Sequence, residues 1–272
     1  MKLLRKLIFS NIWISLSAVS VAWIQAYLFE YKLRANLIAL IFLGTYTIYN
    51  YIYLASSLIH SKRMNQDHLQ WLKRYKTGLI ISSSLSLFVC LYLFIGLNII
   101  QKTLLFIAGL LSLLYVFPNK TKHGLRWIPY LKTPSILITW LVVTTILPQI
   151  ESQFSQVEAN TIYFAIPFLL AWILIFDLRD YSKDLASIKT WPQKLGFSTT
   201  KFISLAFIVL AFILLILNLN NNLHQLISFA ILCLYILAII RLKYIPYHNY
   251  AIIFDGLPIL WGFSLLLLEF LQ

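Results

Sequence analysis

The chain runs to 272 residues, of which 60% are hydrophobic and only 11% charged. A soluble domain carries about 25% charged residues, so this sequence lacks the polar surface to wrap a water-exposed globule, and lipid is the solvent that fits. A formal net charge of +13 would suit a nucleic-acid binder, but the placement of the basic residues ties it to membrane topology and anionic headgroups, and no nucleic-acid partner is expected.

A membrane-spanning helix needs about 20 apolar residues. In chain order, spans are expected at Leu7–Phe29, Leu37–Ile59, Thr77–Leu97, Thr103–Phe117, Ser135–Leu147, Thr161–Phe176, Phe202–Leu217, Leu223–Ile240 and Tyr250–Leu271, nine in all, with the fourth to sixth short. The segments between them leave no room for a second unit, so 1–272 reads as a single transmembrane helical domain of all-α, polytopic class. Lys2, Arg5 and Lys6 precede the first run in the manner of a signal peptide. Its apolar stretch is too long for a signal core, however, and no small-residue cleavage site precedes Tyr27 and Glu30, so a retained helix is expected.

Charge sets the orientation. With the N-terminus in the cytoplasm, nine crossings leave only Lys32, Arg34 and Lys102 of the 22 Lys and Arg outside, together with the C-terminus. This is a strong positive-inside split, and one helix more or fewer midway would scramble it. Short loops and no transit-type leader point to a bacterial inner membrane. Cys90 and Cys233 fall within apolar runs without metal-ligand spacing and read as small core-filling residues.

Only nine acidic residues are present, and three fall in Asp177-Leu-Arg-Asp180-Tyr-Ser-Lys-Asp184 at the end of the sixth run. At i, i+3 and i+7 they share a helix face, where like charges repel. Two readings follow from the spacing. A divalent cation relieves the repulsion, and Mg2+ suits it because it takes one or two carboxylates and completes its shell with phosphate and water. Alternatively, a solvated helix end pairs its aspartates with Arg179, Lys183 and Lys189. Ionisable groups at membrane depth are costly and commonly functional, which favours the first reading, with Asp177 deepest because it directly follows Phe176.

This run, followed by Lys189-Thr190-Trp191-Pro192 and Leu195-Gly196, resembles the second aspartate-rich motif of the UbiA-type intramembrane prenyltransferases, D-x-x-D-x-x-x-D, then T-x-P, then L-G. The resemblance implies a bundle of about nine transmembrane helices around a central cavity. It implies Mg2+ held by Asp177, Asp180 and Asp184, and transfer of an isoprenoid chain from its diphosphate to a small hydrophobic acceptor, aromatic and of quinone-pathway type by family precedent. The loop Tyr115-Val-Phe-Pro-Asn-Lys120-Thr-Lys122-His-Gly-Leu-Arg126 is similar to the family's tyrosine-plus-basic loop, which helps to hold the diphosphate; it reads equally as an ordinary positive-inside loop. Lys120, Lys122, Arg126 and Lys189 are the candidate contacts to the diphosphate oxygens.

The family's first motif, N-D-x-x-D, is expected at the end of the second span. Here only Asn50 matches, with Tyr51 and Leu54 in the aspartate positions, and Asp67 lies too far downstream to count as a substitute. Tyr46, Asn50 and Tyr53, at i, i+4 and i+7, are expected to form a polar and aromatic stripe, facing the cavity or the headgroups. Asp255, next to Gly256 and Pro258 inside the last span, suggests an irregular helix facing protein, as a hydrogen-bond anchor or in acceptor binding. Three functions remain: a Mg2+-dependent prenyltransferase; a UbiA-like membrane protein that has lost the chemistry and binds isoprenoid lipid or protein partners; and, with least support because no repeat of broken helices is visible, a transporter.

Overall fold

A computed structural model describes residues 2–59, 64–116, 124–128, 130–151, 158–181, 189–219, 221–242, 245 and 249–271. Its elements are α1 (Lys2–Phe9), α2 (Ile12–Leu28), α3 (Ala35–Ile59), α4 (Gln66–Ile95), α5 (Ile99–Val116), α6 (Lys132–Leu141), α7 (Leu147–Glu151), α8 (Ala159–Asp180), α9 (Trp191–Leu195), α10 (Phe197–Ile216), α11 (Asn222–Ile240) and α12 (Gly256–Leu271). Among the described residues seven helical stretches are long and apolar enough to cross a membrane, the bent pair α1–α2 makes an eighth, and α5 is a shorter apolar helix. The protein is thus an integral membrane protein of about nine helical spans.

Three expectations about the spans change. The first is not continuous: the chain breaks at Ser10 and Asn11 and turns by 76° between α1 and α2. Asn11 takes a left-handed conformation, φ 62°, which Asn tolerates better than other side chains. Its amide donates to Asn50 Oδ1 at 2.8 Å, while Asn50 Nδ2 donates to Ser10 O at 3.3 Å. The third helix starts at Gln66 rather than Thr77, capped by the Asn65 side chain, which accepts from His68 N at 3.2 Å. Hydropathy marks where lipid begins, whereas hydrogen bonding carries the helix on through the polar residues ahead of it.

The fifth span is longer than its apolar run, because α6 and α7 are joined by a π-helical turn at Val142–Ile146. A second π turn, Ala251–Asp255, leads into α12. Each precedes a proline, Pro148 and Pro258. A proline inside a helix donates no N–H and crowds the carbonyl four residues earlier, and a widened turn is one way to absorb that. The Ala251 carbonyl on the second π turn takes the indole N–H of Trp13 at 3.0 Å.

Helix α8 is the centre of the bundle and packs most extensively against α10. Phe164, Phe168 and Trp172, one turn apart on α8, are all buried. They meet Trp261 of α12 and Tyr235 of α11 edge to face, Phe168–Tyr235 at 5.9 Å and Phe164–Trp261 at 6.2 Å between ring centroids. In lipid, helices associate by close packing rather than hydrophobic exclusion, which favours small residues at contacts. Helices α2 and α12 show this: a Cβ on Gly262 would come within 3.3 Å of Ser20 Cβ, and one on Gly256 within 3.2 Å of the Trp13 ring. The outer faces of α4 and α5 carry exposed Leu85, Phe88, Leu91, Tyr92 and Phe106, as surfaces turned to acyl chains should.

The candidate functional site

A cavity of about 340 Å³ opens between α1, α2, α3, α4, α5, α6, α8 and the π turn before α12. Its ionic lining comprises Arg5, Arg126, Lys132 and Arg179 facing Asp67, Asp177, Asp180 and Asp255, and its apolar walls include Ile14, Ile48, Ile52, Ile136, Leu169 and Ile173. Both aspartates of α8 among the described residues thus lie on one wall, as spacing on a helix face requires. Asp184 lies outside the described residues.

Three of these carboxylates, Asp67, Asp177 and Asp180, have a cation beside them. Asp177, 2% exposed, is held by Lys132 Nζ at 2.8 Å and by the Thr133 hydroxyl at 3.0 Å. Lys132 and Thr133 begin α6 and are themselves buried. Asp180 takes a two-pronged bond from Arg179, Nε to Oδ1 and Nη2 to Oδ2, each 2.9 Å. Arg179 also lies over the Phe176 ring, 4.7 Å from its centroid. At the mouth, Arg5 pairs with Asp67; these side chains are 54% and 64% exposed, so they form the rim rather than the interior. Behind them Phe9 stacks on His68 at 4.6 Å and 9°, with the Tyr53 ring 4.7 Å from the same imidazole.

The T-x-P and L-G residues are local architecture. Thr190 N donates to Gln193 Oε1 at 3.1 Å at the start of α9, Pro192 sits in its first turn, and Gly196, φ 85°, ends it. The result is a tight corner between α9 and α10, and only glycine takes such a φ without strain.

The stripe expected on α3 comes apart. Tyr53 is on the cavity wall, joined by Tyr49. Tyr46 is not on the wall; its hydroxyl meets Ser82 of α4 at 2.7 Å. Asn50, fully buried, is also off the wall and fastens the break between α1 and α2. The reason is angular: at 3.6 residues per turn the cavity face centres on 49, 52, 53 and 56, so 46 turns toward α4 and 50 toward α2. Tyr51 and Leu54, where the family's first aspartates would stand, likewise turn away, Tyr51 to Ser84 at 3.0 Å and Leu54 into a cluster with Leu72 and Leu79.

Of the diphosphate-binding candidates, Tyr115 and Arg126 line the cavity. Lys189 is exposed ahead of α9, with φ 51°, and is not on the wall; Lys120 and Lys122 lie outside the described residues. Sequence reasoning passed over three wall residues. Lys132 was counted as a loop charge, although, like Asp177, it stands against an apolar run, which was the available signal. Arg5 and Asp67 gave no local signal, since they lie 62 residues apart and meet only because α1 bends and α4 starts early.

No family model and no curated protein sequence matches the chain. Among solved structures it is similar to a UbiA homolog from Archaeoglobus fulgidus bound to GPP and Mg2+, at a TM-score of 0.65 and 13% identity, covering 96% of this chain and 99% of that one. The fold is therefore that of the UbiA-type intramembrane prenyltransferases.

For a magnesium ion the chemistry of the donors fits in part. Asp177 and Asp180 present carboxylate oxygens from successive turns into one cavity, which suffices for an ion that keeps water and phosphate in its shell. Among the described residues no group of three or more His, Cys, Asp or Glu assembles.

Proposed function

We propose that the protein binds a prenyl diphosphate in this cavity and transfers its isoprenoid chain, within the membrane, to a hydrophobic acceptor. The observation that carries the reading is the pair Asp177 and Asp180 opening, beside Lys132, Arg179 and Arg126, onto a cavity with apolar walls. The fold shared with a homolog that binds GPP and Mg2+ supports it.

On this reading Asp177 and Asp180 hold one magnesium ion, with Asp184 as a further candidate ligand. The ion would neutralise charge on the departing diphosphate. The guanidinium groups of Arg126 and Arg179 suit paired phosphate oxygens, and Lys132 acts as a point charge. These cations are positioned before ligand arrives, which is the arrangement that stabilises developing charge most effectively. Tyr49, Tyr53, Trp140, Trp172 and Phe176 line the same wall and offer ring faces to an allylic cation. Apolar side chains exclude the water that would otherwise capture it. On this reading the cavity mouth and the N-terminus face the cytoplasm of a bacterial inner membrane, an orientation that the positive charge concentrated at this end supports.

One observation favours a second reading, in which isoprenoid lipid is bound but not transferred. The positions of the first aspartate motif carry Tyr51 and Leu54, both facing away from the cavity. Purified protein in nanodiscs, given labelled geranyl diphosphate with and without Mg2+, separates the two. Diphosphate release that needs Mg2+ and is abolished by Asp177→Asn and Asp180→Asn supports transfer. Tight binding without release, still sensitive to those substitutions, supports the second reading.

A further inference from the structure

The mechanism above leaves Asp255, an ionisable group deep on the cavity wall, unused. Asp255 is 4% exposed, lies on the π turn Ala251–Asp255 and lines the cavity, yet its Oδ1 has no hydrogen-bond partner. The Trp172 indole N–H lies close enough to act on the Asp255 carboxyl, yet Nε1 closes no hydrogen bond of normal geometry. The Tyr235 hydroxyl, buried in the same neighbourhood, has no partner either. Buried polar groups are nearly always satisfied, so a cluster of orphans calls for an explanation. An acceptor oxygen and an indole donor facing one cavity are a complementary pair for a group that both donates and accepts, which is the signature of a hydroxyl.

Depth fits that role. Trp172 precedes Asp180 by eight residues on α8, about 12 Å along the axis, and precedes Asp177 by five, about 7 Å. A diphosphate held at Asp177 and Asp180 would therefore have its first carbon directed toward the level of Asp255. The π turn is what aims the side chain: Trp13 fastens the Ala251 carbonyl at 3.0 Å, and Gly256 lets the backbone settle against the same ring. Such widened turns often occur at functional sites.

Resting on the transfer reading, we propose that Asp255 is the acceptor-side catalytic residue, receiving the hydrogen bond and then the proton of an acceptor hydroxyl docked between it and Trp172. For a phenol the step balances as follows. The prenyl C1–O bond breaks with its electron pair leaving on diphosphate, a ring carbon forms the new C–C bond to C1, and the hydroxyl proton moves to Asp255. The dienone regains aromaticity when the ring C–H proton leaves with the diphosphate and Asp255 returns its proton to oxygen.

The test compares wild type, Asp255→Asn, Asp255→Glu and Asp177→Asn in nanodiscs. The probes are labelled geranyl diphosphate with Mg2+ and a phenol panel of hydroquinone, 4-hydroxybenzoate and 1-naphthol, each beside its methyl ether. Losing a proton acceptor costs about 100-fold or more in rate. Expected is a fall of that order in phenol prenylation for Asp255→Asn, with KM for geranyl diphosphate and its slow loss to prenyl alcohol unchanged, partial recovery in Asp255→Glu, and no reaction of the methyl ethers. A merely structural Asp255 would instead lower thermal stability and weaken geranyl diphosphate binding together, and that result overturns the proposal. So does equal prenylation by Asp255→Asn and wild type, or no binding or prenylation of any phenol by wild type. If wild type binds no geranyl diphosphate yet quenches its tryptophan fluorescence with phenols in an Asp255-dependent way, the transfer reading fails and the hydroxyl site stands.

Discussion

The two ends of one cavity are built on opposite electrostatic plans. Toward the mouth every carboxylate has a cation within hydrogen-bonding reach: Asp67 with Arg5, Asp180 with Arg179, Asp177 with Lys132. Two turns deeper, Asp255 sits among aromatic rings with an unpartnered oxygen. A charge taken out of water needs compensation, and α8 receives it from Lys132 of α6 and from its own Arg179. The mouth is thus matched to a ligand that brings both an anion and a metal and exchanges them for existing pairs. The interior is matched to a neutral hydroxyl that supplies what the fold left out.

That contrast can be broken at the mouth. Replacing Asp177 with Asn removes a metal oxygen and the carboxylate charge beside Lys132; a drop of about 100-fold or more in Mg2+-dependent diphosphate release is expected, and chelating the metal should do the same to wild type. Unchanged release with Asn would end the one-ion proposal. Next in size is Lys132→Met. Breaking a buried ion pair from one side costs about 3–5 kcal/mol, so thermal denaturation in detergent should shift markedly. The double variant Lys132→Met with Asp177→Leu should recover most of that stability while remaining inactive. If Lys132→Met alone leaves stability intact, the buried pair has been misjudged.

Smaller effects sharpen the comparison. Asn50→Ala removes hydrogen bonds that fasten the α1–α2 break, and about 1–3 kcal/mol of stability should go with them, read as an earlier melt. Arg5→Ala at the rim should cost under about 1 kcal/mol, since exposed pairs contribute little, and its influence on ligand binding should fade as salt is raised. Least of all, Tyr46→Phe should leave geranyl diphosphate affinity within about two-fold of wild type, because its hydroxyl faces Ser82, whereas Tyr53→Phe, on the wall, is the informative neighbour.

How much of the site could be read beforehand depended on distance along the chain. Asp177 and Asp180 lie in one helix, and helix periodicity alone put them on one face. The T-x-P and L-G residues were visible for the same reason. Asp67 was set aside because it lies too far downstream of Asn50 to substitute for the first motif, but α4 begins a full polar stretch before its apolar run and brings it to the cavity mouth. The Tyr46, Asn50 and Tyr53 stripe failed because a face as wide as that spacing is shared among α2, α4 and the cavity, and periodicity does not say which neighbour takes which residue.

Composition and charge by themselves determined that this chain lives in lipid as about nine helices, because the cost of placing backbone and charge in hydrocarbon leaves no other solution. They also determined that its acidic groups gather at one end of the sixth helix. Which cation answers each acid, and that Asp255 is left without an answer, was decided only when α1 bent, α6 brought Lys132 beside Asp177, and a proline opened the turn before α12. Those are contacts between helices, and their pairing depends on packing geometry that no local pattern carries.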